Sequence, residues 1–275
     1  MSIAEASRRV AGELRRMLLE YYGEAYYSTV IGEGVSGDET RRIDIAAEEY
    51  AVDLFRGSGL NLWVVSEERG VYRLREKPDY IILLDPLDGS LNYAMQIPFS
   101  SISIVAYNAS ETIPLIHEAV YGIVQSVFSD VRVEYVDGKA LLNGRVFEKR
   151  VERRRIPVVS AYLNNTGELE ALRRALADPA GGLKLRIMGS ASLEASLSSL
   201  GLIDYFVSLT GRLRNIDVAL AIALAVKLDS GILVYPPLEE LRVDDVKVIR
   251  KLIIGPREGM PLSLGEGFQG GQLSY

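Results

Sequence analysis

Apolar residues recur at helical spacing from the start of the chain. Ile3, Ala6, Val10, Leu14, Met17, Leu18 and Tyr21 fall on one face, which predicts a helix over residues 3–27. A second helix is predicted over 41–56, with Ile43, Ala46, Ala47, Tyr50, Ala51 and Leu54 inward. Between them, Ile31–Thr40 carries three glycines in ten residues and reads as a mobile loop or a hairpin. The period then shortens to that of strands, at about 61–65, 80–84, 100–107, 118–128 and 131–136. Asp137-Gly138 and Asn143-Gly144 are turn signals between such runs. This half predicts a mainly antiparallel sheet against two helices.

The second half alternates. Strands are expected at 156–161, 183–188, 203–209 and 230–235, with helices at 166–178, 189–200 and 215–228 between them. A last strand is expected over about 247–254, before a glycine-rich tail from Gly255. The polar segment Glu148–Arg155 reads as a solvated connector. It divides the chain into an α+β lobe, 1–150, and an α/β lobe, 151–275.

Composition narrows the chemistry. The 275 residues are 48% apolar and 25% charged, as in an ordinary globular protein large enough for one domain or two lobes. A net charge of −6 speaks against general nucleic-acid binding. The absence of cysteine excludes disulfides, thiolate ligands and a cysteine nucleophile. The single histidine, His117, rules against a histidine-rich zinc site or a Ser-His-Asp triad and reads as structural, at the entry to a strand. The first residues are charged and helix-like rather than a signal peptide, and the apolar run Val218–Val226 is too short to span a bilayer. A cytoplasmic protein without membrane partners is expected.

The apolar run Ile81–Leu84 stops at Asp85-Pro86-Leu87-Asp88-Gly89-Ser90-Leu91-Asn92. By itself such a turn is as often structural as functional. With Leu87 at the third position it does not fit an EF-hand loop. Two crowded carboxylates repel unless a cation lies between them, so the turn also reads as half of a hard-cation site. Other segments can bring acids to it: Asp44 near the start of the second helix, Glu67 and Glu68 after Leu62–Ser66, and Asp217 at the mouth of an apolar helix. Asp217 can cap that helix, yet it heads a nine-residue apolar run, where a buried acid needs a partner or a metal.

These residues carry a resemblance. Asp85–Asn92 resembles the Asp-Pro-(Ile/Leu)-Asp-Gly-(Thr/Ser)-x-Asn motif of the inositol monophosphatase superfamily of metal-dependent, lithium-sensitive phosphatases. Ser66-Glu67-Glu68 resembles its (Gly/Ser)-Glu-Glu motif, and Gly37-Asp38-x-Thr40-x-x-x-Asp44 the preceding loop and acid. Gly189-Ser190 and Ile216-Asp217-Val218-Ala219 resemble its Gly-Ser and Trp-Asp-x-Ala elements, with Ile216 in place of the commoner tryptophan and Ser90 of the commoner threonine. The match runs from about residue 37 to 235, and Arg212-Leu213-Arg214 is similar to the archaeal branch.

The resemblance implies a layered αβαβα sandwich and a Mg²⁺-dependent phosphomonoesterase acting on inositol 1-phosphate, fructose 1,6-bisphosphate or both. It implies two or three Mg²⁺ ions, with Mn²⁺ as a possible substitute. Glu67, Asp85 and the Leu87 carbonyl would hold the first; Asp85, Asp88 and Asp217 the second; Glu67 and Asp38 a weaker third. Catalytic roles fall to Asp44 and Ser90, which would orient and deprotonate the attacking water, and to Glu67, with Glu68 in support. Gly89 and Ser90 would cradle the phosphate, a sensible place if a helix begins there. Tyr162, Arg186, Ser190, Arg212 and Arg214 are candidate substrate contacts, with helix capping open for Ser190 and surface ion pairs open for the arginines. A homodimer is implied. Two alternatives stay open: a 3′(2′),5′-bisphosphate nucleotidase of the same superfamily, and a silent metal-binding regulatory paralogue.

Overall fold

The computed structural model describes residues 1–33, 39–109, 112–148, 154–176, 182–258 and 260. Helix α1, Ile3–Glu20, opens on a capping box in which Glu5 N donates to Ser2 Oγ (3.2 Å) and Ser2 N to Glu5 Oε2 (2.8 Å). It ends seven residues earlier than its periodicity predicts. Gly23 turns the chain at φ +86°, and the carbonyls of Tyr27 and Thr29 then accept from Ile43 N and Arg42 N, both at 3.1 Å. The turn thus satisfies the first amides of α2, Arg42–Arg56. The tyrosines that prolonged the helical pattern form a cluster instead: Tyr21 stacks on Tyr27 at 4.2 Å, and Tyr22 meets Tyr93 and Phe128.

The segment before α2 forms the antiparallel arms β1, Val30–Glu33, and β2, Glu39–Arg41. Asp38 lies outside the described residues. The first large sheet comprises β3 (Leu62–Ser66), β4 (Gly70–Arg73), β5 (Tyr80–Asp88), β6 (Ser101–Asn108), β7 (Tyr121–Ser126), β8 (Arg132–Val136), β9 (Lys139–Leu142) and β10 (Arg145–Val146). The short helix α3, Ser90–Ala94, joins β5 to β6. Strand order is β10-β9-β8-β7-β6-β5-β3-β4, antiparallel except for the parallel pair β3–β5. The two turn signals make the hairpins β8–β9 and β9–β10, with Asp137, Gly138, Asn143 and Gly144 all at positive φ. His117 sits in a turn ahead of β7, whose pairing starts at Tyr121 rather than at about 118 as expected.

The second half supplies β11 (Val158–Tyr162), α4 (Thr166–Leu176), β12 (Lys184–Arg186), α5 (Ala191–Ser199), β13 (Tyr205–Ser208), β14 (Leu213–Arg214), α6 (Asn215–Lys227), β15 (Gly231–Tyr235), β16 (Val248–Ile249) and β17 (Lys251–Gly255). The final strand predicted over 247–254 is split: β16 pairs with β14, whereas β17 enters the sheet between β13 and β15. That sheet has the order β12-β11-β13-β17-β15, and β17 runs antiparallel to both neighbours.

Three apolar cores define five layers. Leu14, Leu18, Ala47 and Phe55 of α1 and α2 pack on Val64, Ile82, Leu84 and Ile104. On the opposite face, Ile81, Leu83 and Val105 meet Leu193 and Ala195 of α5, Leu220 and Leu224 of α6, and Phe206 and Ile254 of the smaller sheet. Beyond that sheet, Leu172 and Leu176 of α4 cover Val159, Val207 and Ile253. β5 alternates between the first two cores, so its sequence is an unbroken apolar run. α6 is buried from Asn215 to Ala225 and therefore lacks a polar stripe. The order is αβαβα. No described helix is long and apolar enough to cross a membrane.

Candidate active site

The site grows from an irregularity in β5. Asp85 lies opposite Ser103 and Asp88 opposite Ser101, so Pro86 and Leu87 together face the single residue Ile102. In a regular strand, residues three apart point to opposite faces. The extra residue of this bulge returns both carboxylates to the same face. Asp85 Oδ1 accepts from Leu87 N at 3.0 Å, which fixes the turn. Glu67 immediately follows β3, and Ser66 is in register with Leu84, so the parallel pairing sets Glu67 beside Asp85. Asp217 arrives from the first turn of α6, where its Oδ2 accepts from Arg214 N at 2.7 Å.

Oxygens of Glu67, Asp85 and Asp217 lie within 4.8 Å of one another. Arg214 reaches into this group: its Nη1 donates to Glu67 Oε1, and its Nε lies 3.3 Å from Asp217. Asp85 Oδ2 and Asp217 Oδ1 are buried with no hydrogen-bond partner. Burial raises the Glu67 carboxyl, Arg214 opposes the rise, and Asp217 and Glu68 add to it. Burial, then the neighbouring Glu67, Asp88 and Asp217, hold the Asp85 carboxyl well above the usual carboxylate range, and burial raises Asp217. A buried Asp85 oxygen without a hydrogen-bond partner, in an all-oxygen set with no thiol or imidazole, fits a hard divalent cation.

Asp88 is held differently. Its Oδ2 accepts from Ser190 Oγ (2.6 Å), Ser192 N (2.8 Å), Ser192 Oγ (2.7 Å) and Ser101 Oγ (3.3 Å), and its Oδ1 from Ala191 N (3.2 Å). It therefore caps α5 from the other half of the chain. Glu194, in the first turn of α5, is fully buried and gathers the strap ahead of the helix. It accepts from Gly189 N (3.0 Å), Met188 N and Ser190 N (both 3.2 Å), Ser160 Oγ (2.5 Å) and the Tyr162 hydroxyl. Asn92 Nδ2, on α3, ties the strap to that helix by donating to Met188 O (2.7 Å), and it also donates to Phe99 O ahead of β6 (2.8 Å). Gly89, at φ +89°, leads into α3, and a Cβ there would stand 2.7 Å from Gly189 O. The first amides of α3, beginning at Ser90, have no preceding helical carbonyl to donate to.

Asp44 sits in the first turn of α2, where its Oδ2 accepts from Arg41 N at 2.7 Å. Burial pushes it up to about 7 against that hydrogen bond, with Glu68 adding to the rise. Glu68 accepts from Thr40 Oγ1 at 2.5 Å, and its own N–H donates to Glu48 Oε2 at 2.9 Å. Ser190 is fully buried with its hydroxyl on Asp88, and Tyr162 donates to Glu194. Arg186, on the edge strand β12, and Arg212, before β14, are exposed. His117 lines a surface cavity with Asp229, Ser230 and Arg257, none of them in the acidic group.

Sequence reasoning missed Ser101, Ser192 and Glu194. Their only signal is polar residues at positions that packing makes apolar: serine on a central strand, and Ser-x-Glu opening a helix whose residues 191–196 are all buried.

The model of the inositol monophosphatase family matches residues 2–227. An inositol-1-monophosphatase of Aeropyrum pernix is 32% identical over 252 residues, 90% of this chain and 91% of that one. A fructose-1,6-bisphosphatase/inositol-1-monophosphatase of Methanocaldococcus jannaschii is 29% identical over 216 residues, 78% and 79% of the two chains. Among solved structures, an inositol monophosphatase-fructose 1,6 bisphosphatase superposes with a TM-score of 0.77 at 26% identity, over 94% of this chain and 96% of that one. With the αβαβα layers and the acidic group already in place, these likenesses settle the classification: the chain belongs to the inositol monophosphatase family and is a phosphatase.

Proposed function

We propose that the protein is a Mg²⁺-dependent phosphomonoesterase that hydrolyses inositol 1-phosphate and fructose 1,6-bisphosphate. The observation that carries this reading is the buried Asp85 Oδ2, which has no hydrogen-bond partner, within the converging acidic group of Glu67, Asp85 and Asp217. In this reading Glu67, Asp85, Asp217, the Leu87 carbonyl and Asp88 hold the cations. Asp88 contributes through Oδ1, which has a single 3.2 Å contact, while Oδ2 stays with the serines. Bound Mg²⁺ supplies charge neutralisation and activation of water.

The chain's own groups do the rest. Amides at Gly89 and Ser90 orient the phosphate at the start of α3, and the Ser90 hydroxyl positions the attacking water. Asp44, lifted to about 7, can take up that water's proton near neutral pH. The exposed Arg186 and Arg212 offer positive charge to a second phosphate. The exposed apolar residues Leu91, Met95, Ile97 and Ile187 support a homodimer, which light scattering on the eluting protein checks.

The test is phosphate release from inositol 1-phosphate, fructose 1,6-bisphosphate and a 3′-phosphorylated nucleotide, with Mg²⁺ and with chelator. Asp217→Asn should abolish release and cation binding and leave the circular dichroism unchanged. Full activity in that variant, or release undiminished by chelator, refutes the metal reading. A preference for the nucleotide refutes the substrate.

A further inference from the structure

The acidic group contains a positive charge of its own. Arg214 precedes α6, yet its guanidinium crosses to the end of β3 and pairs with Glu67 while its Nε faces Asp217. The pair is largely shielded, with Arg214 13% and Glu67 16% exposed. Glu67, Asp85 and Asp217 set three carboxylates around this one guanidinium. Two of the three acids that converge most closely are engaged by Arg214, and they are the same acids that would ligate a cation.

We propose that Arg214 is a built-in counter-cation: it holds Glu67 and Asp217 in place when no divalent ion is bound and competes with that ion for Glu67. The inference rests on the metal reading given above. Its physical basis is that a guanidinium and a divalent cation drawn to one shielded carboxylate repel each other at low effective dielectric. Binding a cation therefore includes the work of loosening the Arg214–Glu67 pair. The same pair keeps the carboxylates from driving the site apart in the ion-free chain. Once loosened from Glu67, the guanidinium remains beside the site with donors for a phosphate oxygen.

Calorimetric titration of the full chain with Mg²⁺ and with Mn²⁺ tests this, on the wild type and on Arg214→Met, which keeps the stem and removes the charge. The variant should bind the ions at least about tenfold more tightly, the worth of one hydrogen bond between charged groups. Its melting temperature should fall more in chelator than with saturating cation. Arg214→Lys, which keeps the charge without the fork, should show a smaller gain and covers the case in which the methionine variant does not fold. Wild-type binding with equal or weaker binding in the folded variants overturns the inference and leaves the metal reading standing. A wild type that binds neither ion overturns both.

Discussion

Glu194→Gln isolates what the strap before α5 contributes. The carboxylate is fully buried and takes five donors, two at Oε1 and three at Oε2. Glutamine keeps one acceptor oxygen and replaces the other with an NH₂ group. If the oxygen stays with the three donors at Oε2, the NH₂ faces Ser160 Oγ and Met188 N. The serine hydroxyl can rotate to accept, but the Met188 amide cannot, so one buried donor loses its partner. An unpaired buried amide and the loss of charge from the remaining bonds cost about 3 kcal/mol together. For a chain of this size that lowers the melting temperature by about 6 °C. Scanning calorimetry at neutral pH, with the linear dependence on urea as a second measure, reads the change. The strap also carries Gly189, whose carbonyl bounds Gly89, and Ser190, which holds Asp88, so phosphate release should fall with stability. A melting temperature within 1 °C of wild type would refute the assignment of Glu194 as the strap's anchor.

Gly89→Ala combines a left-handed backbone with a Cβ 2.7 Å from Gly189 O; it should cost about 2–3 kcal/mol and remove activity, and an active variant of normal melting temperature refutes the cradle. The pH dependence has a definite sign. Asp44 is lifted from 3.8 to about 7, so the folded chain keeps a proton that the unfolded chain has already released. Without cation, the stability it contributes is complete below about pH 4 and declines until about pH 7. Melting temperatures in chelator should fall across that range, and saturating Mg²⁺ should offset the fall; a flat or rising profile in chelator contradicts it.

Much of this was legible before the fold was known, and the exceptions share a cause. The spans of α2, β3, β6 and α6 follow from periodicity, and the β8–β9–β10 hairpins from Asp-Gly and Asn-Gly, because both are local properties. α1 misled beyond Glu20 because aromatic residues satisfy a helical period equally well when they form a cluster around a turn. β16 and β17 read as one strand because the break at Arg250 has no glycine or proline to mark it.

The acids were visible as residue types at the ends of apolar runs, and strand ends are where such sheets place chemistry. Their convergence was not. The sequence alone determined that carboxylates, a glycine and a hydroxyl stand at the mouth of a buried strand. Only the tertiary structure decided that a bulge turns Asp85 and Asp88 to one face, that Asp88 caps a helix 102 residues away, and that Arg214 crosses to Glu67. Period and turn chemistry are written within a few residues, whereas the pairing of a buried acceptor with its donor is settled when the layers pack and water leaves.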